Sequence, residues 1–278
     1  MKIYTYYEQI HQDKRDGSLK ILDLWSKNWK SKGFEPIVLT SKDAELKGDY
    51  YKEFKECLYD LIDNVTFLKT HPSAKTDIEN NISLEPTVHE DIINKFCFAS
   101  FKKYLAMANV IGEDSMLVDY DVFNISFKER HLLHNQKKLD LLSDGIHSPV
   151  AYGNERNFKE FCDYCIKIFK KMPHILIGLC NCKKNYLTDH DFVMNLKAYL
   201  YIKNNGIHSE GEVDEVEFFI KSFLNSTENI IISNKAEDAL NYPLAHVHRN
   251  FPSHSKSTQE SLKTLKRIEA AKYICSNN

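Results

Sequence analysis

Short apolar segments alternate with amphipathic segments along the chain, which is the pattern of strands and helices in an α/β fold. Residues 2–7 are rich in β-branched and aromatic side chains and predict a first strand;. A helix with Trp25 and Trp29 on one face follows, and Gly33 stands where that helix should end;. Residues 36–40 then predict a short buried strand. We therefore expect a mostly parallel, Rossmann-like sheet flanked by helices.

The same alternation continues to the end of the chain. The pattern predicts helices at residues 50–62, 92–108, 157–171 and 188–201 and strands at 115–118, 175–179 and 242–248. It predicts loops or surface excursions at residues 70–86, 130–145 and 204–215. Ser257 and Glu260 form a capping box that opens a last amphipathic helix;. Because no repeat or linker divides the chain, we expect one domain over residues 1–278.

Composition and charge narrow the class of protein. The chain has 278 residues, of which 42% are hydrophobic and 27% charged, as in ordinary globular proteins;. A net charge of −2 argues against a nucleic-acid partner, because a protein that binds nucleic acid needs an excess of cationic side chains;. A basic stripe of Lys95, Lys102 and Lys103 is interpreted as a solvated helix face. Since no apolar run is long enough for a membrane helix and no signal peptide is seen, we expect a soluble, cytoplasmic protein with no integral membrane segment.

The cysteines allow two interpretations. Cys162, Cys165, Cys180 and Cys182 have a spacing that could hold zinc;. The first two also fall on the apolar stripe of the helix predicted at residues 157–171, which makes them core residues;. An odd total of seven cysteines suits free thiols in a reducing compartment;. We expect core cysteines, and a zinc-binding interaction protein is the non-enzymatic alternative.

Asp119-Tyr120-Asp121 follows an apolar strand directly. In extended backbone, side chains two residues apart project to the same side, so we expect both carboxylates to meet at one point. Such a pair repels unless a cation lies between the acids, and Mg²⁺ or Mn²⁺ suits oxygen ligands and shares phosphate oxygens. Ligands of parallel sheets bind beyond the carboxyl ends of strands. The motif therefore predicts a metal site for a nucleotide diphosphate, against the alternative of two solvated turn residues.

Residues 117–122 resemble the Asp-x-Asp segment of metal-dependent glycosyltransferases with the GT-A fold. Residues 2–7 and 25–39 are similar to that family's first strand and the helix and strand that follow. Residues 187–195 resemble a segment of the retaining glycogenin and bacterial lipooligosaccharide galactosyltransferase group, with His190 in place of a glutamine. The resemblance implies a GT-A-like domain that moves a sugar from a nucleotide-diphosphate donor to a hydroxyl acceptor such as a glycan. The donor that it favours is a UDP-sugar. It places the nucleotide-binding half of the domain at about residues 1–125 and the acceptor-side half at about residues 126–278.

The resemblance also implies the metal ligands. Asp121 is expected to bind Mn²⁺ or Mg²⁺ directly, and Asp119 to hold the metal, the ribose or the donor sugar. A histidine after a late apolar strand completes the coordination in this family. His246 and His248 share one face of the strand predicted at residues 242–248, and His248 is preferred because it ends the strand.

Other site residues follow from the same resemblance. Lys256 lies in a polar loop where a cation could meet the β-phosphate, and one lysine of the basic stripe could also serve the donor. Asp189 and Asp191 are candidates to bind donor or acceptor hydroxyls, with Asp191 as general base if the enzyme inverts. Both could instead serve only their helix as cap and first-turn acid. Either Tyr6 or Tyr7 is expected to bracket the base, since neighbouring strand residues face opposite ways.

A sugar-nucleotide nucleotidyltransferase is the enzymatic alternative. Such enzymes use a related sheet and a divalent cation, and they carry a Gly-rich basic loop after the first strand. Residues 8–17 hold a single glycine, which counts against this function.

Overall fold

Among the described residues the chain begins with the strand, helix and strand that the sequence pattern predicts, and it then departs from strict alternation. The computed structural model describes residues 1–8, 18–70, 89–128, 139–142, 150–171, 192, 196, 232–233, 243–247 and 260–276. Within these residues the helices are α1 Ser18–Ser31, α2 Ser41–Ala44, α3 Gly48–Thr70, α4 His89–Val110, α5 Glu155–Lys171 and α6 Glu260–Ser276. The strands are β1 Lys2–Tyr6, β2 Glu35–Leu39, β3 Ser115–Val118, β4 Val122–Asn124, β5 Asp140–Leu142, β6 Val150–Gly153, β7 Ile232–Ser233 and β8 Leu244–His246.

Within the described residues the main sheet has five strands in the order β2-β1-β3-β6-β5. Strand β1 is parallel to both β2 and β3, with Tyr4 opposite Ile37 on one side and Leu117 on the other. Strand β6 is antiparallel to β3 and to β5. Four of the five strands therefore run in one direction, which confirms the expected α/β class and mostly parallel sheet.

Apolar side chains cover both faces of this sheet. Leu117 packs in one cluster with the aromatic faces of α3, α4 and α5, whereas its neighbours Met116 and Val118 pack in a second cluster with α1 and α6. Strand β3 is buried throughout, because it lies in the centre of the sheet with helices on both sides;. The carboxyl end of β3 is therefore held firmly before the chain reaches Asp119.

A second sheet follows the end of β3, and in the part of the chain that the structure describes it has three strands in the order β4-β8-β7. Helix α1 holds its edge strand β4 through side chains. The Trp29 indole donates a hydrogen bond to the Val122 carbonyl at 2.9 Å. The Asn28 amide donates to the Asn124 carbonyl at 3.0 Å and accepts from the Asn124 N–H at 2.7 Å. Helix α1 thus fixes the strand that leaves the Asp-x-Asp segment.

Helix α1 ends as the sequence predicts. Gly33 adopts a positive φ of 85° just after the last helical turn, and glycine takes this conformation without the strain that a side chain would add;. Trp25 and Trp29 are fully buried, which confirms the predicted inner face of this helix.

Two sequence-based expectations about the main sheet are wrong. Strand β2 is not buried throughout, because it lies at the edge of the sheet and leaves Val38 39% exposed. Residues 139–142, inside the segment expected to be a surface excursion, contain strand β5, and Leu139 and Leu141 are fully buried. Strand β5 is too short to show a periodic pattern, and the residues around these two leucines are mostly polar or charged. The sequence pattern therefore could not reveal this strand.

The cysteine expectation is confirmed for the first pair. Cys162 and Cys165 lie on the inner face of α5 and are fully buried in the core. Burial raises the pKa of the Cys162 thiol well above its usual range, which keeps it protonated;. Cys180 and Cys182 lie outside the described residues, as do the segments at 175–179 and 204–215. No described helix combines the length and the apolar character needed to cross a bilayer.

Candidate metal centre

Asp119 and Asp121 lie in a tight turn between β3 and β4. The Val122 N–H donates a hydrogen bond to the Asp119 carbonyl at 2.9 Å, which closes the turn;. The expectation of extended backbone through this segment is therefore wrong. The two acids still come to one place, but they do so through a hydrogen-bonded turn at the end of β3 rather than through the alternation of a strand.

Strand β8 brings a histidine to the same turn. His246 is opposite Val122 in the β4–β8 ladder, and the Val247 N–H donates to the Asp121 carbonyl at 2.7 Å. One ligand atom from each of Asp119, Asp121 and His246 lies within 4.8 Å of the others. We call these three residues the acidic triad. Two segments that are distant in sequence thus place two carboxylates and one imidazole at the carboxyl ends of β1 and β3.

Two cations pair with the carboxylates of the triad. Lys103 of α4 places its Nζ 2.9 Å from Asp119 Oδ1. Arg267 of α6 places its Nη2 2.7 Å from Asp121 Oδ2 and donates from Nε to the Val247 carbonyl at 2.8 Å. The other oxygen of Asp121, Oδ1, faces His246 Nε2 at 3.4 Å. Arg267 therefore fixes the rotation of the Asp121 carboxylate.

Exposure differs sharply across this group. The side chains of Arg267 and His246 are only 4% and 9% exposed, and that of Asp121 is 12% exposed. The Asp119 side chain is 33% exposed, although its partner Lys103 is 11% exposed. Asp119 is therefore the member of the triad that is most open to solvent, whereas Arg267 is buried beside Asp121.

Aromatic rings line the approach to the turn. The rings of Tyr7 and Tyr120 meet edge to face with centroids 5.6 Å apart, and the Arg267 guanidinium lies 5.4 Å from the Tyr120 centroid;. Tyr6 instead packs against the other face of the sheet and donates a hydrogen bond to Glu8 at 2.8 Å. The expectation that the two tyrosines face opposite ways is confirmed, and Tyr7 is the one beside the motif.

The triad is a chemically suitable set of metal ligands. Carboxylate oxygens suit Mg²⁺ and Mn²⁺, and a neutral imidazole is the commonest nitrogen ligand of proteins. Mg²⁺ is usually bound by oxygen alone, so the imidazole favours Mn²⁺ of the two ions. The structure supports a site that could hold a divalent metal ion.

The structure does not describe every predicted site residue. Asp189, Asp191, His248 and Lys256 lie outside the described residues, so their roles stay predictions. Within the described part, His246 rather than the preferred His248 is the histidine seen beside the acids.

Sequence reasoning missed Arg267 and misjudged the lysines. Arg267 shares the inner face of α6 with Ala271 and Ile274, at helical spacing. An arginine on an apolar stripe requires a buried partner, and that was the available signal. Lys102 and Lys103 are buried rather than solvated, because Glu8 and Asp119 pair with them.

The pKa of His246 gives a pH-dependent prediction for the metal-free protein. Burial lowers this pKa, but the charge and hydrogen bond of Asp121 and the charge of Asp119 outweigh it, so the pKa lies above its ordinary value;. The protonated imidazole therefore stabilises the fold below about pH 6.5, and this contribution is lost as the pH rises through the raised pKa.

We therefore compare the free energy of unfolding of the wild-type protein with that of His246→Gln, both in the presence of a chelator. The excess stability of the wild type should be larger at about pH 6 than at about pH 9. Urea unfolding of both proteins at each pH measures the difference, and other titrating groups cancel between them. A difference that is constant with pH, or that grows with pH, contradicts the assignment.

A scan against models of protein families finds none that matches this sequence, and a search of curated proteins finds no relative. The chemistry of the triad and its surroundings is therefore the basis for a function.

Proposed function

We propose that the chain is a metal-dependent glycosyltransferase of the GT-A type that moves a sugar from a nucleotide-diphosphate donor to a hydroxyl acceptor. The observation that carries this proposal is the convergence of Asp119, Asp121 and His246 at the carboxyl ends of parallel strands. That edge is where parallel sheets bind nucleotide ligands. A metal ion held there would meet the diphosphate of such a ligand.

The triad would hold Mn²⁺, or Mg²⁺ as the second choice. When bound, the ion neutralises the charge that develops on the diphosphate leaving group. The protein supplies the rigid frame: Arg267 holds one oxygen of Asp121, and the turn between β3 and β4 holds Asp119 beside it. Asp119 is the most exposed member, so the donor is expected to approach past it.

Tyr7 supports a nucleotide as the donor. It lies just beyond the carboxyl end of β1, in edge-to-face contact with Tyr120 of the motif. An aromatic ring at this position offers a face on which a base can stack. Tyr6 is engaged with Glu8 on the other side of the sheet, so we assign the base to Tyr7 alone. UDP is the first nucleotide to test.

Thermal unfolding with UDP, GDP, CMP and ADP, each with and without Mn²⁺, tests the proposal. We expect one nucleotide to raise the midpoint only when Mn²⁺ is present. A ligand at about 100 times its dissociation constant adds about 2.7 kcal/mol, which is about 5–10 °C for a chain of this size. The matching nucleotide sugar should then release its nucleoside diphosphate in a Mn²⁺-dependent reaction.

Tyr7→Leu separates base binding from metal binding, since loss of base stacking removes about 1–3 kcal/mol of nucleotide affinity. We expect the nucleotide-dependent shift to shrink in this variant while Mn²⁺ binding stays unchanged. Tyr273→Leu is the matched control, because Tyr273 is 55% exposed on α6. Failure of every nucleotide to shift the midpoint with Mn²⁺ would falsify the proposed function, and tight zinc in the purified protein would favour the interaction-protein alternative.

A further inference from the structure

A lysine, a glutamate and a tyrosine form a largely buried group at the carboxyl end of β1, on the face of the main sheet opposite Tyr7. Lys102 of α4 places its Nζ 2.9 Å from both carboxylate oxygens of Glu8. The Tyr6 hydroxyl donates a hydrogen bond to Glu8 Oε2 at 2.8 Å. The Lys102 side chain is 9% exposed and that of Glu8 is 27% exposed. We call these three residues the strand-end bridge, because they join the end of β1 to α4.

The members of the strand-end bridge are each held from more than one side. The Lys102 ammonium also lies 5.1 Å from the centroid of the Phe98 ring, one turn earlier on α4, and that ring stacks on Phe54 of α3;. Burial and the charge of Glu8 raise the pKa of Tyr6, so its hydroxyl stays protonated and donates;. Because a buried ammonium is costly without its partner, Lys102 fixes the position of the Glu8 carboxylate.

The strand-end bridge determines which way Tyr7 faces. In extended backbone, residues 6 and 8 project to one side of the strand and residue 7 projects to the other. The hydrogen bond between the Tyr6 and Glu8 side chains keeps both on one side, which directs Tyr7 to the opposite side. There its ring meets Tyr120, while its backbone N–H donates to the Leu39 carbonyl of β2 at 2.9 Å. Tyr7 is thus held through its backbone and through both of its neighbours.

We propose that the strand-end bridge positions Tyr7 for the nucleotide base, and that Lys102 is the residue that secures it from α4. The inference rests on the proposed function for the nucleotide and adds the residues that prepare the base site before binding. Lys102 acts through Glu8 and the backbone of Tyr7, without contacting the nucleotide. A ring that is ordered in advance loses little freedom on binding, whereas ordering one side chain during binding weakens affinity by about 2–12-fold.

Two calorimetric titrations of the full chain test the inference. The Mn²⁺-loaded chain is titrated with UDP, or with whichever of the four nucleotides raises its unfolding midpoint, and the metal-free chain is titrated with Mn²⁺ alone. Lys102→Met should weaken nucleotide binding by about 3–10-fold and leave Mn²⁺ binding unchanged. Lys102→Arg keeps the ion pair and should bind the nucleotide as wild type does.

Lys170→Met is the matched control. Lys170 of α5 also joins two elements through one carboxylate, that of Glu53 on α3, but this ion pair lies at the surface. The substitution should change neither titration, because a surface ion pair contributes little and this one is not attached to β1.

A second substitution shows whether Lys102 acts through Tyr7. In the Tyr7→Leu background no ring is left to position, so adding Lys102→Met should change nucleotide affinity by less than about twofold. A lysine that only stabilises the fold, or one that contacts the nucleotide itself, would give the same loss in both backgrounds.

Equal nucleotide affinity in wild type and Lys102→Met would overturn the inference and leave the proposed function standing. A loss that persists in full in the Tyr7→Leu background would do the same. If Lys102→Met does not fold, combining it with Glu8→Gln removes both charges together and carries the same expectations. A wild-type protein that binds none of the four nucleotides with Mn²⁺ would overturn the proposed function, and this inference with it.

Discussion

Replacing Arg267 with methionine is expected to lower the free energy of unfolding by about 3–5 kcal/mol in the absence of metal. The substitution leaves the Asp121 carboxylate buried without the guanidinium that lies 2.7 Å away. It also removes a donor from the Val247 carbonyl and a cation from the face of Tyr120. For a chain of this size the midpoint of thermal unfolding should fall by about 10 °C.

Mn²⁺ should reverse part of this loss, because a bound ion neutralises the same carboxylate. We therefore expect Mn²⁺ to raise the midpoint more in Arg267→Met than in wild type. Arg156→Met is the control, since Arg156 forms an exposed pair with Glu160 on α5 and its loss should matter by less than about 1 kcal/mol;. An Arg267→Met protein as stable as wild type would show that Asp121 does not depend on this ion pair.

Asp121→Asn should abolish the proposed glycosyl transfer while the fold survives. The amide has nearly the same shape and can still accept a hydrogen bond from Arg267, but it no longer carries the charge that a metal ion requires. We expect Mn²⁺ affinity and Mn²⁺-dependent release of nucleoside diphosphate each to fall by at least about 100-fold, beyond the 10–100-fold that loss of a supporting residue causes.

Asp23→Asn is the matched control for this experiment. Asp23 is 59% exposed, and the ion pair described for it is with Lys27, one turn further along α1. Asp119→Asn serves as a second test, with the same direction expected. A folded Asp121→Asn protein that keeps its metal-stimulated turnover would remove Asp121 from the ligand set.

The sequence was sufficient to predict the parts of the fold that repeat a pattern. Helices α4 and α5 and strands β1 and β3 each carry enough apolar residues at a regular spacing to be recognised;. Strand β5 has three residues within a polar segment, so no period could reveal it. The exposure of β2 depends on its place at the edge of the sheet, which is a property of the assembled strands rather than of its own residues.

The candidate site divides in the same way. Asp119 and Asp121 could be found because they follow a buried strand directly. Their approach to His246 depends on the turn and on the pairing of β4 with β8, which are contacts between distant segments. The pairing of Arg267 with Asp121 depends on the packing of α6 against the turn. The place of Arg267 on an apolar stripe indicated only that it would need a buried partner.

The pair of hydrogen bonds between Asn28 and Asn124 gives β4 what a neighbouring strand would otherwise provide. The side-chain amide of Asn28 forms hydrogen bonds with both the N–H and the carbonyl that Asn124 turns outward at the edge of the small sheet. Open strand edges recruit strands from other molecules, which is a route to aggregation. A single side chain from α1 thus closes this edge to a further strand at Asn124, next to the segment that must stay in place for the triad to form.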